Sequence, residues 1–286
     1  MILVADGGST KTDWRLLRDG QEFKQMQTSG FNPYLSGTDE IESILWKELQ
    51  PYLNNTGISR IYYYGAGCST VIRNQVVEQA FERVFPSAKI CIDHDLIGAA
   101  RALCGSNAGI AAILGTGSNS CFYDGTNIID KIFSSGYLFG DEGSGAYMGK
   151  ILLTAYLHDE LPPVLAEKLN AEHLLSKESI LENVYTKPTP NRFLASFSSF
   201  IFHNRDHPYL HELIFDNFRQ FYKYQVCCYP GYRDVPVNFA GSVAYHYKEL
   251  LLNVGQEFGI RTGKIIQSPI EGLVEYHLAE TTRLEL

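Results

Sequence analysis

Ile2-Leu3-Val4-Ala5-Asp6-Gly7-Gly8-Ser9-Thr10-Lys11-Thr12-Asp13 opens the chain and decides its fold class. Four consecutive apolar residues predict a buried strand over 2–5, and Asp-Gly-Gly then bends the backbone sharply. A return strand is expected over 13–17 and a third over 22–27, so the chain begins as a hairpin with a polar, glycine-bearing tip. The same device recurs later. A strand over 109–114 runs into Gly115-Thr116-Gly117-Ser118 and returns over 119–124. The repeat is one of architecture, since the two stretches share little sequence.

Between and beyond these hairpins, strands alternate with helices. Ile41, Ile44, Leu45 and Leu49 recur at helical spacing, which predicts a helix over 38–49 with Thr38 as its N-cap. A strand over 61–64, a helix over 69–85, a strand over 89–93 and a small-residue helix over 96–103 follow. Residues 151–229 read as mainly helical, with breaks at Pro162-Pro163 and Pro188 to Pro190. Strands over 235–239 and 264–266, a long helix from Val243 and a last helix over 269–279 complete the pattern. Strand runs mixed with helical crossovers argue an α/β protein of two lobes, with the boundary near Asn107.

The 286 residues can bury two cores, and 45% apolar with 20% charged residues is ordinary for a globular chain. A net charge of −8 speaks against a nucleic-acid partner, which is bound through excess Lys and Arg. No apolar stretch is long enough to span a bilayer, so no membrane partner is expected. The run 2–5 stops at Asp6, too short for the core of a signal peptide. Cys68, Cys91, Cys104, Cys121, Cys227 and Cys228 form no CxxC pair and no zinc spacing. They read as reduced thiols of a cytoplasmic protein.

Three turns carry the candidate chemistry: Asp6 to Thr12, Gly115 to Ser118, and Gly241-Ser242. Glycine admits positive φ and close approach, so successive amides can converge on an anion, with Ser and Thr hydroxyls as further donors. Neither GxxxxGK[ST] nor a GxGxxG that opens a helix is present, so phosphate would have to be held by hairpin tips. Phosphoryl transfer also needs a base. Asp95 stands where a strand gives way to a helix, a place where Asp often serves only as an N-cap. Asp93, two residues earlier, competes for the role. Asp6 closes the first strand, either as a metal-side carboxylate or as a turn residue before Gly. Gly140-Asp141-Glu142-Gly143-Ser144-Gly145 is an acidic loop bracketed by glycine ahead of a helix.

With these residues assembled, the chain resembles the N-acetylglucosamine kinase branch of the sugar kinase, Hsc70 and actin superfamily, within the BadF/BadG/BcrA/BcrD-type ATPases. The resemblance rests on the tip Asp6 to Lys11, on Asp95, on Gly115 to Asn119 and on Gly140 to Ser144. It implies two ribonuclease-H-like (actin-like ATPase) lobes with an interlobe cleft. The N-terminal lobe would span 1–107, with a C-terminal helix 269–286 packing back on it. The C-terminal lobe would span 108–268, with a helical insertion over about 151–229. The implied reaction is transfer of the γ-phosphate of ATP to the 6-hydroxyl of an amino sugar, N-acetylglucosamine first, with Mg²⁺ as the metal.

By the same resemblance Asp95 is the base and Asp6 the Mg²⁺ residue. Gly8, Ser9, Thr10, Lys11, Thr116 and Gly117 contact the ATP phosphates, and Gly241 and Ser242 its adenosine side. Asn32, Gly67, Ser118, Asn119, Gly136, Tyr137 and Asp141 contact the sugar. Tyr137 stands where the vertebrate pattern has Trp, so the sugar platform is altered. A homodimer would be usual for the family. Two rivals come from the same superfamily. An ATPase activator holding a 4Fe-4S cluster is disfavoured because 122–226 contains no cysteine. A non-catalytic sugar sensor is disfavoured because it need not retain Asp95 and the acidic loop, and no DNA-binding extension flanks the chain.

Overall fold

The computed structural model describes residues 1–53 and 57–284 and divides them into two compact units. One comprises 1–107, 124–128 and the segment from Ser268; the other comprises Ala108–Tyr123 and Ile129–Gln267. Each is built on a mixed five-stranded sheet, and the chain has the α/β, actin-like ATPase fold.

In the first unit the sheet order is β3-β2-β1-β4-β5. The strands are β1 (Ile2–Gly7), β2 (Lys11–Arg18), β3 (Gln21–Ser29), β4 (Arg60–Gly65) and β5 (Lys89–His94). β1, β2 and β3 form an antiparallel meander, whereas β1, β4 and β5 are parallel. Central β1 is apolar over residues 2–5 because it is covered on both faces. On one face Leu3, Ala5, Trp14, Ile61 and Tyr63 pack against Ile41, Leu45, Val77 and Phe81. The Trp14 indole N–H is satisfied there by Thr28 Oγ1 at 3.0 Å.

The helix expected over 38–49 is three segments: α1 (Thr38–Ile44), a π-helical stretch Leu45–Leu49, and α2 (Gln50–Leu53). Its N-cap is Gly37 rather than Thr38. Thr38 already has helical backbone, and its hydroxyl donates to the Val76 carbonyl at 3.1 Å. α3 (Val71–Val84) starts at Thr70, whose side chain caps the Arg73 amide. The other sheet face is covered by α4 (Asp95–Cys104). The C-terminal helix (Ile270–Leu284) packs in turn on α4, and of the expected 269–286, residues 285 and 286 lie outside the described residues. Gly272 lets that helix approach α4: a Cβ there would stand 2.6 Å from the Ala102 carbonyl oxygen.

The second unit repeats the order as β10-β9-β6-β7-β8. Its strands are β6 (Gly109–Leu114), β7 (Ser118–Tyr123), β8 (Ile128–Lys131), β9 (Val237–Ala240) and β10 (Thr262–Ile266). β6 pairs antiparallel with β7 and parallel with β9, as β1 does with β2 and β4. The repeat read from two glycine-bearing tips is therefore a repeat of whole sheets. β8, an edge strand carrying Asp130 and Lys131, had no apolar run to announce it.

The helices of this unit are α5 (Gly136–Phe139), α6 (Gly145–Leu157), α7 (Pro163–His173), α8 (Lys177–Tyr185), α9 (Pro190–Ser196), α10 (Ser198–His203) and α11 (Pro208–Phe221). Pro163, Pro190 and Pro208 each open a helix, where a missing N–H costs nothing. The long helix expected from Val243 is two, α12 (Ser242–His246) and α13 (Lys248–Glu257). They divide at Tyr247, whose hydroxyl donates to the Ser198 carbonyl at 2.7 Å. The last helix, Ile270–Leu284, is α14.

Candidate functional site

Parallel pairing brings the first unit's candidate residues together. Asp6 lies level with Tyr64 and Tyr64 with Asp93; one step on, Gly7 lies level with Gly65 and Gly65 with His94. The carboxyl ends of β1, β4 and β5 therefore finish together, with β1 and β5 roughly 10 Å apart. Asp95 follows at once as the first residue of α4.

The cap of α4 is not Asp95. His94 takes that place, with Nδ1 accepting from the Leu96 amide at 3.0 Å. Asp95 Oδ1 is buried and has no hydrogen-bond partner among the described residues, although His94 Nδ1 stands 2.6 Å away. Asp93 is engaged elsewhere: Arg101 donates to its Oδ2 at 3.1 Å and to Tyr64 Oη at 2.8 Å. Of the two competing aspartates, only Asp95 has a carboxyl not neutralised by an arginine.

Burial, reinforced by the negative charge of Asp95, pushes the Asp6 carboxyl up to about 7, against a hydrogen bond from Ser268 that pulls it down. Ser268 Oγ donates to Asp6 Oδ2 at 3.2 Å. Sequence reasoning missed Ser268, which announces itself only as the residue before Pro269 at a helix start.

The hairpin tip is tightly closed. Gly8 N–H donates to the Lys11 carbonyl at 2.9 Å, and Gly30 N–H to the Thr10 carbonyl at 3.0 Å. The Gly8 amide is thus used within the turn. Any ATP contact at Gly8 would have to exploit its missing side chain instead. Lys11 Nζ pairs with Asp13 Oδ2 at 2.9 Å; the lysine is exposed, whereas the Asp13 side chain is mostly buried and also accepts from Gln27. Thr10 is exposed.

Asn32, Ser9 and Gly67 meet behind the tip. Asn32 Nδ2 donates to Ser9 Oγ at 3.2 Å, and Asn32 Oδ1 accepts the Tyr34 amide at 3.0 Å. Gly67 has φ +83°, and a Cβ there would lie 2.3 Å from Asn32 Oδ1. The glycine is what leaves room for the carboxamide.

The second unit carries its own group of candidate residues. Gly145 N–H donates to the Gly115 carbonyl and Ala146 N–H to the Thr116 carbonyl, so the tip of the β6–β7 hairpin caps α6. Asp141 sits against this tip with φ +63°, a conformation that Asp tolerates better than most residues. Its carboxyl is buried; burial raises its pKa, and the Ser118 amide at 3.5 Å compensates in part. A Cβ on Gly117 would lie 3.0 Å from Asp141 Oδ2.

Ser118 Oγ is also buried, with no partner among the described residues. A buried carboxylate beside a buried hydroxyl that lacks a partner suits a polyhydroxylated ligand. Asn119 follows on β7, with Oδ1 on the Ser120 amide at 2.9 Å. Gly136 and Tyr137 lie on α5, where Lys150 Nζ holds the Tyr137 carbonyl at 3.1 Å. Gly241 has φ +117°, and a Cβ there would meet the Leu114 carbonyl oxygen at 2.3 Å. It is glycine for the fold whatever else it contacts. Ser242 beside it is exposed.

A fold of duplicated sheets, each with a glycine-bearing hairpin tip, places the chain in the actin-like ATPase class of folds. A provisionally named N-acetylglucosamine kinase from Porphyromonas gingivalis is 42% identical, with 98% of this chain and 100% of that one covered at a TM-score of 0.94. The chain belongs to the same family as that protein. A second provisionally named N-acetylglucosamine kinase, from Chromobacterium violaceum, shares the fold at 18% identity and a TM-score of 0.74, covering 96% of this chain and 98% of its own. A ROK family glucokinase from Streptomyces griseus, solved with glucose and AMPPNP, shares it at 14% identity and a TM-score of 0.60, with 99% of both chains covered. No protein-family model matches the chain, and no curated protein does. No helix among the described residues is long and apolar enough to cross a membrane.

Proposed function

We propose that the protein is an ATP-dependent kinase that phosphorylates the 6-hydroxyl of an amino sugar, with N-acetylglucosamine as the first candidate. Asp95 carries this reading: a carboxylate just past the end of β5, with one oxygen buried and no arginine paired to it, unlike Asp93. The full-length likeness to the Porphyromonas gingivalis protein supports the choice of sugar. The BadF/BadG/BcrA/BcrD assignment, a cytoplasmic location and a homodimer belong to the same reading.

In this mechanism the sugar contacts are Asn32, Gly67, Ser118, Asn119, Gly136, Tyr137 and Asp141. Asp95 accepts the hydroxyl proton as the O–H bond breaks. The oxygen attacks the γ-phosphorus, and the bond to the leaving ADP oxygen breaks. Ser9, Thr10, Lys11, Thr116 and Gly117 hold the phosphates, and Gly241 and Ser242 lie at the adenosine. Mg²⁺ is implied by the chemistry, and the donor set fits it. Asp6 is a hard oxygen ligand whose carboxyl is held near neutrality by burial and by Asp95, so it gains from a cation. A single carboxylate suffices for an ion that keeps its waters and shares the phosphates. When bound, Mg²⁺ would offset charge on the phosphates; Asp6 would hold it, and Ser268 would orient Asp6.

The test is ATP consumption over a panel of amino sugars, with and without Mg²⁺, on the wild type and Asp95→Asn. Sugar-dependent ADP formation that falls about 10²- to 10⁴-fold in the variant is expected. Turnover within a few-fold of wild type in Asp95→Asn removes Asp95 as the base. A flat response to every sugar removes the kinase.

A further inference from the structure

His94 Nδ1 stands within reach of both a donor and an acceptor. Nδ1 lies 3.0 Å from the Leu96 amide and 2.6 Å from Asp95 Oδ1. With Nδ1 bare it accepts from Leu96 and caps α4, but then two lone pairs face each other across 2.6 Å. With a proton on Nδ1 the contact to Asp95 becomes a short hydrogen bond to a carboxylate, and the cap is given up. Leu96 N–H is a first-turn amide of a helix, and Ser, Asp or Asn would cap it without touching Asp95. An imidazole is not needed for a cap.

The carboxylate has no better partner. Asp95 Oδ1 is buried and accepts no hydrogen bond among the described residues as placed. The groups whose charges act in the same surroundings are Asp6 on β1, Tyr63 and Cys68 at the end of β4, and Asp93. The carboxylates among them repel Asp95, and Arg101 is bound to Asp93 and Tyr64. The imidazole is therefore the group placed to donate to Oδ1. Its side chain is 31% exposed and that of Asp95 30% exposed, so a buried oxygen is tied down while the rest of the carboxyl stays accessible.

We infer that His94 is a positioning residue for Asp95, donating Nδ1–H to Oδ1 and so presenting Oδ2 to the hydroxyl that is to be deprotonated. This deepens the kinase reading and rests on it, though the contact itself does not.

The experiment uses the whole chain and has two arms. His94→Ser keeps a good N-cap and removes the imidazole. Its melting temperature should not fall below wild type, both KM values should stay within about threefold, and kcat should fall about ten- to a hundredfold, less than full loss of a base. An unchanged kcat overturns the proposal and leaves His94 as a cap only. The second arm reads the imidazole directly, by ¹⁵N resonances of His94 in wild type and Asp95→Ala at neutral pH. Nδ1 should carry a proton in the wild type and lose it in Asp95→Ala, as the ring returns to the Leu96 amide. A bare Nδ1 in the wild type overturns the proposal even if no sugar is turned over. An inactive wild type with a protonated Nδ1 fails the kinase reading and keeps the contact.

Discussion

Ser268 Oγ donates to Asp6 Oδ2 at 3.2 Å, joining residues 262 positions apart at the carboxyl end of β1. The same oxygen lies 3.5 Å from the Ile270 amide, so the residue that opens α14 also anchors the first-strand carboxylate. Ser268→Ala leaves that carboxylate without this donor when it is ionised. The expected loss is about 1–3 kcal/mol at pH 8 and little at pH 5, where Asp6 is protonated. Urea unfolding at the two pH values measures it. A loss equal at both would mean that the hydroxyl acts on α14 alone.

Asp6 itself makes stability pH-dependent in a direction opposite to that of most carboxylates. Its ordinary value is 3.8, and in the folded chain it is pushed up to about 7. Between these values the folded state holds a proton that the unfolded state has lost, so stability falls as pH rises through the window. The slope from this group is at most about 1.4 kcal/mol per pH unit. Asp6→Asn should therefore be the more stable protein at pH 8 and equal to wild type near pH 4. Adding Mg²⁺ and ATP should raise the melting temperature of wild type at pH 8 more than that of Asp6→Asn.

His277 works in the other sense. Tyr64 Oη lies 2.8 Å from its Nε2 and Glu280 lies 3.2 Å from Nδ1. Arg101 donates to Tyr64 Oη, which leaves the tyrosine hydroxyl to donate into a neutral imidazole. Burial, with Arg101 and Arg60 near, lowers the imidazole to about 3 from its ordinary 6.5. The Glu280 contact pulls the other way. It lies on the exposed side, and the neutral ring satisfies it with Nδ1–H. From about pH 6.5 down to 3 the unfolded state takes up a proton that the folded state refuses, so this contribution is complete above 6.5 and erodes as pH falls. In His277→Gln the slope over that window should shrink by up to about 1.4 kcal/mol per pH unit. Unfolding curves at half-unit steps would show it; parallel curves for the two proteins would refute it.

Much of this was legible in the sequence. The two hairpin tips announced themselves because a buried strand ending in glycine and hydroxyl residues leaves a signal within a dozen positions. Asp95 was identifiable as a strand-end acid, though not as a residue excused from capping, since that depends on the His94 ring turning back to Leu96. Ser268 and His277 were out of reach. Their partners lie some 200 residues or more away, and only the parallel register of β1, β4 and β5 and the docking of α14 bring them together. Gly37 displaced Thr38 as a cap because a tertiary acceptor, the Val76 carbonyl, had already claimed the threonine hydroxyl.

Gly67 offers the sharpest separation of binding from turnover. Its φ of +83° is open to glycine and strained for alanine, and an added Cβ would meet Asn32 Oδ1 at 2.3 Å. That oxygen holds the Tyr34 amide, and the same carboxamide reaches Ser9. Gly67→Ala must therefore push Asn32 away from both, at a cost of about 1–3 kcal/mol from backbone strain. Among the described residues Asp95 and Thr10 hold no hydrogen bond to Asn32, and only Ser9 loses a donor, so the KM for sugar should rise at least about tenfold and the KM for ATP by clearly less. Adding Asn32→Ala to Gly67→Ala should cost little more, because the first change has already displaced the group the second removes. Full additivity of the two would place Asn32 outside the sugar site.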